Sequence, residues 1–101
     1  MRPVGRFLLL CTIDASARDR LGTHRQRHLD HVEAHRHLVA FGGVVGESAE
    51  APEAICYVLD VADRDQAATF VAADPYSPFY ASVRIDAFSQ RLPEPVSQEE
   101  P

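Results

Sequence analysis

The apolar pattern of this chain predicts an α+β domain with the element order βαββαβ. Three observations carry it. Two runs, Phe7 to Ile13 and Ala54 to Val61, are apolar on both faces; two segments open with capping-box spacing, Thr23 to Gln26 and Asp63 to Gln66; and a closing run, Phe79 to Phe88, alternates apolar and polar residues.

The first strand is Phe7-Leu8-Leu9-Leu10-Cys11-Thr12-Ile13, and a run apolar on both faces belongs to a sheet covered on both sides. Asp14 to Gly22 is polar and reads as a connection, with room for a helical turn. The capping box at Thr23 starts helix one, Leu29, Val32 and Val39 give it an apolar stripe, and Gly42-Gly43 ends it. Val44 to Ser48 is a short second strand, and Ala49 to Glu53, with Pro52, turns into the third, Ala54 to Val61. Asp63 opens helix two through Ala67, Ala68, Phe70 and Val71. Pro75 closes it, because a proline disfavours helical geometry at the residue before it. The last strand puts Phe79, Ala81, Val83, Ile85 and Ala87 on one face.

This order is the ferredoxin-like split βαβ arrangement, a four-stranded antiparallel sheet with two helices on one face. Two helices leave the second face bare. Yet strands one and three are apolar there too, through Leu8, Leu10, Cys56 and Val58. The sequence therefore predicts a homodimer packed through the open face of the sheet. Residues 1–88 form the single domain, and 89–101, rich in Pro, Glu, Gln and Ser, form a flexible C-terminal tail.

Composition narrows the function. At 101 residues and 46% hydrophobic content the chain is one small globular domain. A net charge of −5 argues against nucleic acid as a partner. No apolar run approaches the ~20 residues of a membrane helix, and Met1 to Phe7 leads into the first strand without a signal peptide. Cys11 and Cys56 lack CxxC spacing and sit in strand-like runs, where a free thiol behaves as a small hydrophobe. A cytoplasmic location follows as the expectation. All ten basic residues are arginine, which reflects a codon bias more simply than a use for guanidinium groups.

Two segments carry residues suited to proton transfer. Arg25-Gln26-Arg27-His28-Leu29 places an imidazole on helix one, and Asp74-Pro75-Tyr76 places a carboxylate where helix two ends. A carboxylate there faces the negative end of the helix dipole, at a cost of roughly 0.3–1 kcal/mol that a nearby imidazolium would offset. Accepting from one ring nitrogen of His28, Asp74 would fix its tautomer and leave the other nitrogen free for a substrate proton. The plainer alternative makes Asp74-Pro75 a helix stop and His28 a half-buried amphipathic residue. Tyr76 and Ser77 are candidates for a substrate oxygen. Arg25 is a candidate for an anionic group, or one more solvated arginine.

A second pattern competes. His24, His28, His31 and His35 follow spacings of four, three and four, so all leave one side of helix one, and imidazoles at i and i+4 can share a metal. His31 to His35 reads HxExH, not the HExxH of a metalloprotease. Solvated or packed histidines are the simpler reading.

Over residues 6–88 the chain resembles the YciI-like (YCII-related) proteins of the dimeric α+β barrel superfamily. The likeness is carried by the opening strand, Arg25-x-x-His28-Leu29, the glycine before strand two, and Ala73-Asp74-Pro75-Tyr76 ahead of a final strand ending in Phe88. The resemblance implies a His28–Asp74 active-site pair, no organic cofactor, a small cyclic or anionic ligand, and lyase- or isomerase-like acid–base chemistry. A noncatalytic binding or regulatory module is the alternative. Three features depart from the pattern: Glu47-Ser48-Ala49 stands where Gly-Pro is usual, helix one reads a turn longer, and Ser77-Pro78-Phe79 lacks a usual glycine.

Overall fold

A computed structural model describes residues 6–93, so the start of the 1–88 domain and residues 94–101 of the tail lie outside it. Four strands, β1 (Arg6–Ile13), β2 (Val39–Val45), β3 (Ala54–Asp60) and β4 (Tyr80–Ala87), form one antiparallel sheet in the order β2-β3-β1-β4. Two helices, α1 (Leu21–Ala34) and α2 (Arg64–Ala72), complete the βαββαβ order. Leu21 of α1 and Ala67, Phe70 and Val71 of α2 share one core with Leu9, Cys11 and Ile13 of β1 and Ile55, Tyr57 and Leu59 of β3. Both helices therefore cover the same sheet face, and the predicted fold class stands. No helix among the described residues is long and apolar enough to cross a membrane.

Helix two begins as its sequence predicts. The Asp63 carboxylate accepts from the Gln66 N–H at 2.9 Å, and the Gln66 side chain accepts from the Ala62 N–H at 3.0 Å. Helix one does not. Its helical path starts upstream, where Asp14 accepts from the Ser16 N–H and hydroxyl and opens a 3-10 turn, Ala15–Arg20, that runs straight into α1. Thr23 lies inside the helix and caps nothing. The far end is corrected as well: α1 stops at Ala34, a 3-10 turn follows at Arg36–Leu38, and Val39 is already the first residue of β2, opposite Leu59.

Gly42-Gly43 therefore sits inside β2 rather than at a helix end. Gly42 pairs with Tyr57, and a Cβ there would stand 2.9 Å from the Cys56 carbonyl and 3.1 Å from the Tyr57 ring. The glycine lets the Tyr57 ring lie flat against the strand beside it.

The apolar stripe expected on α1 is also displaced. Leu29 is 46% exposed, while the buried residues of the helix are Leu21, His28 and His31. The histidine side is the buried side. In β4 a register shift between Thr12 and Ile13 pairs Thr12 with Ser82 but Ile13 with Tyr80. The extra residue, Ala81, breaks the two-residue alternation and turns Tyr80, not Ala81, onto the helix-covered face opposite Ile13. On the other face Leu8, Leu10 and Cys56 are half-buried, and Phe41 and Val45 are exposed.

Candidate functional site

Asp74 follows α2 in a tight turn. Pro75 supplies no N–H, and the Asp74 Oδ1 accepts from the Tyr76 N–H at 2.9 Å, a local turn that aspartate forms readily. The same oxygen lies 2.8 Å from Nδ1 of His28, with both side chains buried. An ionised carboxylate can only accept, so Nδ1 carries the proton, and in the neutral ring Nε2 then presents its lone pair. The Tyr57 hydroxyl stands 3.4 Å from that Nε2. The second carboxylate oxygen, Oδ2, accepts from the Tyr80 hydroxyl at 2.7 Å.

Burial alone would push the Asp74 carboxyl up. Hydrogen bonds from His28, the Tyr76 N–H and Tyr80 more than compensate and hold it below the ordinary carboxylate range. The surrounding groups are kept neutral by the same burial. The Tyr57 and Tyr80 phenols are pushed far up, first by desolvation, with the charge of Asp74 adding to it. The Cys11 thiol rises to about 12, chiefly by desolvation. The result is one buried anion among neutral donors, with an imidazole bonded to it.

The Tyr76 ring stacks on the His28 ring at a 4.0 Å centroid distance and 7° between planes. Both rings line a cavity of about 510 Å³ together with Leu21, Leu29, Val44 and Ile55. Arg18 and Arg25 stand on the same cavity wall, with Asp19 and Glu50. Burial pushes the Tyr76 phenol up, while the Arg25 guanidinium pulls it back down, so the two groups share one electrostatic neighbourhood. The structure thus brings His28, Asp74, Tyr76 and Arg25 together. Ser77 begins a 3-10 turn, Ser77–Phe79, and does not line the cavity.

The other histidines are engaged elsewhere. Nε2 of His31 lies 3.0 Å from the Phe70 carbonyl, Nδ1 of His35 lies 2.9 Å from the His31 carbonyl, and His24 meets the Phe79 ring edge-on. Among the described residues no group of three or more His, Cys, Asp and Glu side chains could hold a metal ion. Sequence reasoning missed Tyr57 and Tyr80. The first reads as plain strand core, and the second is hidden by the bulge at Ala81.

Fold and pocket define a ferredoxin-like α+β domain with a buried His–Asp pair beside a cavity. No family profile matches the chain, and no curated protein is significantly similar to it. Among solved structures, 5-chloro-2-hydroxyhydroquinone dehydrochlorinase from Burkholderia phenoliruptrix, in complex with 2,5-dihydroxybenzoquinone, has the same fold. The TM-score is 0.76 over 85% of this chain and 95% of that chain, at 15% sequence identity.

Proposed function

We propose that this protein is a small-molecule enzyme in which His28 and Asp74 carry out general acid–base chemistry of the lyase or isomerase type. The observation that carries the reading is the buried 2.8 Å bond from His28 Nδ1 to Asp74, which leaves Nε2 as the available base beside a cavity. His28 Nε2 takes a proton from the substrate; the freed electron pair collects on a substrate oxygen or expels a leaving anion. Asp74 balances the imidazolium that forms. Tyr76 offers a ring face, and Arg25 and Arg18 offer positive charge at the cavity wall, which suits a planar, anionic ring.

The dehydrochlorinase with the same fold acts, by its name, on a chlorinated hydroxyhydroquinone. The YciI-like motifs supply the same pair of residues, and Ser77 serves the turn rather than the substrate. Reversible binding without turnover is the second reading, favoured by the Tyr57 hydroxyl close to Nε2. The half-buried Leu8, Leu10 and Cys56, with exposed Phe41 and Val45, support a homodimer through the open sheet face.

The test is direct. The protein is titrated with 2,5-dihydroxybenzoquinone, then assayed on chlorinated and hydroxylated hydroquinones for chloride release and for deuterium uptake from solvent. Turnover that disappears in both His28→Ala and Asp74→Asn supports an enzyme. Binding without turnover assigns the ligand-binding module, and turnover unchanged in both variants removes the pair from the mechanism.

A further inference from the structure

Asp74 divides its partners between its two oxygens. Oδ1 takes His28 and the Tyr76 N–H, both on one side of the carboxylate, and Oδ2 takes the Tyr80 hydroxyl at 2.7 Å. The terminal torsion of an aspartate is broad and roughly two-fold, so contacts to one oxygen alone leave the group free to rock. We propose that Tyr80 is a positioning residue of this site: its hydroxyl anchors Oδ2, which turns Oδ1 toward His28. Its consequence for catalysis rests on the acid–base reading above; the anchoring itself does not.

Three features support the assignment. The bond has the short length of a hydroxyl donating to a carboxylate, among the stronger hydrogen bonds a protein makes. Tyr80 reaches Asp74 because β4 is bulged: with regular alternation Ala81 would stand opposite Ile13 in its place. The phenol is also committed as a donor. Burial and Asp74 keep it protonated, and the Cys11 thiol, itself held protonated by burial, lies against the same hydroxyl from β1.

The groups that face Asp74 are known from every packed element. They are His28 and His31 from α1, Cys11 from β1, Tyr57 from β3, Tyr76 from its own turn and Tyr80 from β4. Tyr80 is the one that donates to Oδ2. Removing it deletes a favourable bond to the charged form only, so Asp74 must rise. Once protonated, Asp74 no longer requires a proton on Nδ1, and Nε2 ceases to be a dependable base.

The experiment follows the Asp74 carboxyl carbon by NMR against pH, in native protein and in Tyr80→Phe, without added ligand. In the variant the Asp74 midpoint is expected to rise by about one to two pH units, the range for losing a bond to a charged group. An unchanged midpoint in a folded variant overturns the proposal. Should Tyr80→Phe fail to fold, native protein gives an independent answer. Exchange of the Tyr80 hydroxyl from H to D is expected to shift the Asp74 carboxyl resonance, and no isotope shift would equally overturn it. A shifted midpoint with His28→Ala fully active would leave Tyr80 in its positioning role and end the catalytic reading instead.

Discussion

His28 and His31 lie three residues apart on one helix, both buried and both packed on an aromatic ring; His28 is hydrogen-bonded to the turn after α2 and His31 to a carbonyl of α2 itself. Their partners differ. His28 meets a carboxylate that is held ionised; His31 meets the carbonyl of Phe70, which offers no charge. Burial dominates at His31 and lowers its proton affinity, with the charge of Asp74 opposing and His35 adding to the effect. A carbonyl can orient an imidazole but cannot balance an imidazolium. On the proposed reading, burial and helix position do not make a proton-handling histidine; the acceptor opposite it does.

The strongest way to break this contrast is to remove each side in turn. With a turned-over substrate in hand, His28→Ala and Asp74→Asn should each lower kcat/KM by about 10²–10⁴, the usual contribution of a positioned acid–base group. His31→Gln should cost less than about tenfold. Equal losses at positions 28 and 31 would erase the distinction.

The second test uses pH. The folded state holds Asp74 below its unfolded value of ~3.9, so its contribution to stability is present above that value and is lost as pH falls through the folded one. His31 is also depressed, from an unfolded value of ~6.5, so its contribution is complete above that pH and declines as pH drops below it. Urea titrations at stepped pH should show both declines. His31→Gln should flatten the upper one, and Asp74→Asn the lower.

A smaller effect is expected from Gly42→Ala. The added methyl meets the Cys56 carbonyl and the Tyr57 ring, and overpacking of this kind costs about 1–3 kcal/mol. The displaced ring should also move the hydroxyl near Nε2, so chemical shifts of His28 should change while those of His31 stay fixed. The smallest effect belongs to Tyr57→Phe. At 3.4 Å its bond to Nε2 is long, and losing it should change the affinity for a ligand of the proposed site by no more than about tenfold, read by isothermal titration.

Much of this was legible beforehand, for stated physical reasons. β1 and β3 announce themselves by runs apolar on both faces, and α2 by a capping residue that the structure uses as expected. The pair His28 and Asp74 stood out through the resemblance to the YciI-like motifs; residue type and spacing alone favour a helix stop and a half-buried histidine. The end of α1 did not, because Val39 lies seven residues after Val32 and so continues a helical period, while Gly42-Gly43 imitates a helix terminator. Both belong to an edge strand where glycine makes room for Tyr57. Leu29 was assigned to the core on the same false period and instead lines the cavity. Tyr80 could not be found by alternation at all, because a single inserted residue, Ala81, reverses the face on which it falls.

The central claim is that an ionised Asp74 fixes the proton of neutral His28 on Nδ1 and so leaves Nε2 as the base. Long-range ¹H–¹⁵N correlation spectra of the His28 ring at a pH where it is neutral test this directly, in native protein and in Asp74→Asn. One tautomer is expected in the native protein, with the proton on Nδ1 and none on Nε2, and loss of that preference in the variant. A native ring protonated on Nε2, or one with no preference in either protein, would contradict it.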